Sequence, residues 1–77
     1  MIELLGTSGC HLCEVAERMV RRLAPTLGHA VQVTDIALDD ALVEKYGMSI
    51  PVLRHDSGKE LGWPFEEAQL LDWLTNL

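Results

Sequence analysis

Positive charge is scarce in this sequence. Six Lys and Arg stand against twelve Asp and Glu, a formal charge of −6, so most of the surface would repel a phosphate backbone and no nucleic-acid partner is expected. Long apolar runs are missing too. None approaches the ~20 residues that a membrane span needs, so no membrane partner is expected either. No basic leader precedes an apolar core of roughly 7 to 15 residues, so no secretory signal is read and a cytoplasmic chain is expected. Pro- or Ser-rich linkers, internal repeats and low-complexity stretches are likewise lacking, and residues 1–77 read as a single domain, expected to be a monomer. A domain of this size buries only about 60% of the surface its unfolded chain exposes. Any site must therefore lie near the surface. Cysteine is limited to two residues, and in a reducing compartment a pair this close is not expected to be a structural staple.

What is present is an ordinary globular composition, 48% apolar and 23% charged, with both cysteines gathered in Thr7-Ser8-Gly9-Cys10-His11-Leu12-Cys13. Ahead of that stretch, Ile2, Leu4 and Leu5 make a short apolar strand, and Gly6 to Gly9 supply turn-forming residues. After it, Leu12, Val15, Ala16, Met19, Val20 and Leu23 fall at the spacing of one helical face. Cys10 thus stands at the mouth of a strand-to-helix turn. The first-turn N–H groups lack partners within the helix, and the aligned peptide dipoles put partial positive charge there. Both favour a thiolate, and cysteines so placed can have a pKa lowered from about 8.5 to between roughly 3.5 and 7.5. Cys13, one turn further on, shares the helix face of Cys10 and is placed to resolve a mixed disulfide formed there.

The helix is expected from about Cys10 to Ala24, ended by Pro25. Glu14 and Glu17 stand four residues ahead of Arg18 and Arg21, and this predicts a solvated, ion-paired face. Ala30 to Ile36 alternates as a second strand, parallel to the first across a right-handed crossover. Asp39 or Asp40 can cap a short helix over Ala41 to Tyr46, with Gly47 in the left-handed position beyond it. Over Met48 to His55, Pro51 opens what otherwise looks like a strand, with Asp56-Ser57-Gly58 as a hairpin turn and Lys59 to Gly62 as its partner strand. Trp63-Pro64-Phe65-Glu66-Glu67 suits the start of a last helix, with Pro64 near its first turn and Leu70, Leu71, Leu74 and Leu77 inward. The order is β-α-β-α-β-β-α.

Thr7 to Cys13, Glu44 to Leu53 around Ile50-Pro51-Val52, and Leu61-Gly62-Trp63-Pro64-Phe65-Glu66 together resemble the small glutaredoxin-like proteins of bacteria, within the thioredoxin superfamily. The resemblance implies an α/β thioredoxin fold, a four-stranded mixed sheet flanked by three helices. It also implies a cis Ile50–Pro51 bond facing Cys10, and an Ile50 backbone that pairs with a bound thiol substrate. His11, Ile50, Pro51, Gly62 and Trp63 are the expected substrate-binding residues beside the catalytic Cys10 (nucleophile) and Cys13 (resolving). Four positions depart from the glutaredoxin pattern. His11 and Leu12 replace the usual Pro and Tyr, Thr7 replaces a frequent Lys that would help to hold a glutathione carboxylate, and Trp63 replaces the second of a glycine pair.

A thiol-disulfide oxidoreductase is therefore expected, reducing disulfide-containing proteins or glutathione mixed disulfides. No cofactor is expected to be tightly bound, and glutathione would enter as a co-substrate. The alternative is a non-catalytic binding module of the same fold, holding a peptide or a glutathione-assisted iron-sulfur cluster. No metal ligand is assigned: a structural zinc wants four N or S ligands, and only His11, His29 and His55 could join the cysteines. Attachment of a c-type haem is excluded because Glu14, not His, follows Cys13. His11, as an imidazolium, would favour the thiolate, although the helix N-terminus disfavours a cation there. Trp63 and Tyr46 read first as cover for a small core.

Overall fold

The computed structural model describes residues 1–77. Strand β1 (Ile2–Gly6) occupies the interior of a four-stranded sheet of order β2-β1-β3-β4. It pairs in parallel with β2 (Val31–Asp35) and antiparallel with β3 (Val52–His55), which pairs antiparallel with β4 (Glu60–Gly62). Helices α1 (His11–Leu23), α2 (Asp40–Tyr46) and α3 (Glu67–Thr75) complete the order expected from the sequence pattern. Short 3-10 turns follow α1 at Ala24–Leu27 and β2 at Ile36–Leu38, so Ile36 leaves the strand expected to hold it.

The alternation along β1 sorts its side chains to two faces. Ile2 and Leu4 enter a ten-residue core with Ala16 and Val20 of α1 and Leu70 and Leu74 of α3, while Leu5 joins a smaller cluster with Ile36, Tyr46 and Val52 under α2. Ile2, Leu4 and Leu5 are all but inaccessible to solvent, and each contributes about 1.5–3 kcal/mol by leaving water. The buried stripe of α1 runs through Cys13, Ala16, Val20 and Leu23. It begins at Cys13, Leu12 in the first turn being 47% exposed, and Val15 and Met19 are half-buried beside it. Of the two ion pairs expected along α1, Glu17–Arg21 forms at 2.8 Å. Glu14–Arg18 does not, and Arg22 instead reaches Glu67 of α3.

Several local expectations are decided or corrected. Asp39 is the cap of α2, its carboxylate accepting from Ala41 N–H at 2.9 Å. Gly47 is not left-handed: its φ is −52°, and glycine is required because a Cβ there would lie 2.5 Å from the Val43 carbonyl oxygen. Strand β3 begins at Val52, directly after the proline expected to open it, and Met48 to Pro51 form the loop before it. The last helix begins at Glu67, three residues beyond Pro64, because Glu66 and Gln69 form a capping box that sets its first turn. Phe65 is buried against the main core, with the Trp63 ring edge-on to it at 5.0 Å.

Candidate active site

Cys10 and Cys13 are joined in a disulfide, their Cα atoms 5.2 Å apart. Cys10 is the N-cap of α1, with extended backbone at φ −95° and ψ 105°, and the backbone N–H of Cys13 donates to its sulfur at 3.1 Å. That donor is one of the first-turn N–H groups that a helix cannot satisfy internally. The same geometry would stabilise a Cys10 thiolate once the disulfide is reduced. Gly9, at φ +75°, makes the turn that delivers Cys10 to the cap. The two sulfurs differ in access: Cys13 is buried at 6% exposure, while Cys10 is half-buried at the surface.

Cys13 packs directly on the end of β1. A Cβ built on Gly6 would come within 3.1 Å of both the Cβ and the Sγ of Cys13, so the absence of a side chain at Gly6 is what lets the inner sulfur sit on the strand. The β1–β3 register sets Leu5 opposite Val52, which carries Pro51 to the level of Gly6, and Val52 in turn faces Gly62 on β4. Pro51 is buried, the Ile50–Pro51 bond is cis, and the Trp63 N–H donates to the Pro51 carbonyl at 3.1 Å. These contacts bring Ile50, Pro51, Gly62 and Trp63 to the end of the sheet where the dithiol stands. The Ile50 N–H donates to the Tyr46 carbonyl at 3.2 Å, so its own carbonyl is the group left without a partner. His11 is exposed in the first turn of α1.

Two clefts flank this arrangement. The smaller, about 230 Å³, reaches Cys13 between the β1–α1 loop, α1 and β2, and is bordered by Thr7, Glu14, Glu17, Val33 and Asp35. Thr7 donates its hydroxyl to Asp35 at 2.9 Å, and the same carboxylate oxygen accepts from Ala37 N–H at 2.9 Å. A shallower groove of about 780 Å³ runs along Met19, Trp63, Pro64 and Gln69. It is larger but does not include either cysteine, so the smaller cleft bears more directly on the chemistry. No cluster of three or more His, Cys, Asp or Glu side chains is arranged to hold a metal ion. His29 and His55 stand edge to face at 5.8 Å, and His29 lies 3.3 Å from the Leu74 carbonyl.

Residues 1–75 match the family model described as Glutaredoxin-like domain (DUF836). The chain belongs to this glutaredoxin-like family. Among solved structures, it is similar to target protein XcR50 from X. campestris, with 35% identity and a TM-score of 0.88 over 100% of this chain and 99% of that one. It is also similar to protein Ne2328 from Nitrosomonas europaea, with 26% identity and a TM-score of 0.77 over 94% of this chain and 87% of that one. Thioredoxin 1 from Thermosipho africanus shares the fold, at 14% identity and a TM-score of 0.75 over 97% and 90% of the two chains. No curated protein matches the chain significantly. A thioredoxin fold carrying a Cys10–Cys13 pair in a glutaredoxin-like chain fits a redox role.

Two residues of this glutaredoxin-like domain escaped the sequence reading. Gly6 passed as one more turn residue, and the signal that marks it is its place on the Ile2, Leu4, Gly6 face of β1, directed at the helix above. Asp35 passed as a polar strand position. Its link to Thr7 depends on the β1–β2 register, and no local pattern announces that.

Proposed function

We propose that the protein is a thiol-disulfide oxidoreductase in which Cys10 attacks and Cys13 resolves. The observation that carries this is the pairing of an accessible N-cap sulfur, held by the Cys13 N–H, with a buried sulfur one turn away that already bonds to it. In the reduced protein, the Cys10 thiolate forms a bond to one sulfur of a substrate disulfide, and the other substrate sulfur leaves as a thiolate and takes a proton from water. Cys13, its proton lost to solvent, then bonds to Cys10 and displaces the second substrate sulfur. Two electrons pass from the dithiol to the substrate. A thiol reductant regenerates the pair.

The substrates in this reading are disulfide-containing proteins in a reducing, cytoplasmic setting, met by a monomer. The cis-Pro51 loop would hold the substrate chain through the unpartnered Ile50 carbonyl, with Gly62, Trp63 and His11 around it. The test is equilibration across ratios of reduced and oxidised glutathione at neutral pH, trapped by alkylation and read by mass. A Cys10–Cys13 disulfide should appear with a single midpoint, in the range of about −270 to −120 mV spanned by related dithiols. In Cys13→Ser the mixed disulfide should accumulate on Cys10, and in Cys10→Ser turnover should vanish. Two cysteines that remain alkylatable under the most oxidising ratio would remove the proposal.

A further inference from the structure

Which disulfides such a dithiol attacks depends on the charges around it. Glu14, Glu17 and Asp35 border the cleft that opens on Cys13, and no Lys or Arg does. Arg21 pairs with Glu17 at 2.8 Å, but Glu14 and Asp35 have no cationic partner among the ion pairs. The bonds that Asp35 accepts from Thr7 and Ala37 fix its carboxylate at the lip of the cleft without neutralising it. Asp39 and Asp40 follow at the start of α2, and the chain offers no Lys or Arg between Arg22 and Lys45. Apolar side chains frame the same end of the sheet. Leu12, Leu38 and Met48 are 47%, 86% and 103% exposed, on the first turn of α1, the turn after β2 and the loop before Pro51.

We propose that this acidic cleft, with exposed apolar side chains on the neighbouring turns and loop, selects protein disulfides whose cysteine is flanked by Lys or Arg, and disfavours glutathione as the partner. A cleft lined by one sign of charge between low-dielectric walls concentrates ligands of the opposite sign and speeds their encounter. Glutathione brings two carboxylates and one ammonium, a net negative charge, to a mouth where Thr7 supplies no cation. The exposed Leu12, Leu38 and Met48 suit the apolar flank of a polypeptide, which a tripeptide lacks. The inference rests on the dithiol reading and names its substrate class.

The experiment is single-turnover oxidation of the pre-reduced protein by three peptide disulfides of equal length, with Lys, Ser or Glu beside the cysteine, and by oxidised glutathione. The Lys peptide should react on the order of tenfold faster than the Glu peptide at low ionic strength. That ratio should fall toward unity near 1 M salt, where the Debye length is only about 3 Å. Glu14→Gln combined with Glu17→Gln should shrink the low-salt ratio, while Glu44→Gln on α2 should not. Equal rates for Lys and Glu peptides, or a faster Glu peptide, would overturn the selectivity while leaving the dithiol chemistry intact. Failure of the neutral Ser peptide along with all the others would instead remove the dithiol reading, and the selectivity with it.

Discussion

The two faces of the sheet receive unequal cover, and their side chains differ accordingly. Toward α1 and α3 the sheet presents Ile2, Leu4 and Leu53, sealed within a ten-residue core. Toward α2 it presents Leu5 and Val52, which share a four-residue cluster with Ile36 and Tyr46. Two residues along the register from that cluster, on the same face, Glu3 stands opposite Arg54. There polar groups take the place of core, with the Tyr46 ring of α2 5.8 Å from the Arg54 guanidinium. Thr34 on β2 donates to Glu3, Glu3 accepts from Arg54 on β3, and Tyr46 donates to Glu60 on β4. The dithiol belongs to the sealed face. A resolving thiol has to be kept from solvent and close to its partner, and only the side roofed by α1 offers both.

Leu4 and Leu5 test this directly, since they are neighbours on one strand, equally buried, and point to opposite faces. Leu4→Ala should cost about 3–5 kcal/mol, because two helices clamp the cavity it leaves. Leu5→Ala should cost about 2–3 kcal/mol, because a short helix and a 3-10 turn can settle into the space. Chemical denaturation of both variants measures the gap. Equal losses would mean that the two clusters are equally rigid, and the comparison between the faces would collapse.

A smaller effect of a different kind is expected at Gly6. A methyl group there meets Cys13 at 3.1 Å, so the helix or the sulfur must move, at an overpacking cost of about 1–3 kcal/mol. Because the crowded atom is one of the two that form the disulfide, Gly6→Ala should destabilise the oxidised and reduced proteins by different amounts. Gly62→Ala is the control in the same sheet: a Cβ there has nothing within 4 Å, and its stability should change by only about 0.5 kcal/mol. Thermal unfolding of both redox forms reads the difference. Identical shifts in the two forms would show that the strain is absorbed away from the sulfur.

The dithiol and the element order were legible because they are local. Two cysteines three apart, a strand before them and an amphipathic run after them are all visible within one window of sequence. The buried stripe of α1 was partly so: Ala16, Val20 and Leu23 are buried as expected, whereas Val15 and Met19 are half-buried, Leu12 is exposed and Cys13 begins the stripe. Contacts that depend on register were hidden. Nothing near Glu3 announces Arg54, some fifty residues on, and nothing near Thr7 announces Asp35. Trp63 and Pro64 read as a helix start because Pro favours first turns, yet the reciprocal bonds of Glu66 and Gln69 outweighed that preference and began α3 later. Gly47 carried the right residue for a different reason, close approach to the Val43 carbonyl.

The smallest expected effect probes the open face through pH. The Thr34 hydroxyl does most to hold the Glu3 carboxyl below its ordinary range, Arg54 adds to it, and partial burial opposes both. Unfolded Glu3 therefore takes up its proton at a higher pH than folded Glu3 does. The stabilisation is fully present above the unfolded value and is lost as pH falls through the lower folded one. Glu3→Gln should cost about 1 kcal/mol at neutral pH and make the acid limb of the stability curve shallower below about pH 4. The carboxyl of Glu67 is also held low, by hydrogen bonding and attraction from Arg22. Both of those side chains are exposed, however, so solvent and salt screen the pair and Glu67→Gln should change the acid limb less than Glu3→Gln does. Matching acid limbs for the two variants would reduce the polar ladder to an ordinary surface pair. A steeper dependence on Glu3 would instead show that the open face is held by polar contacts that water cannot replace.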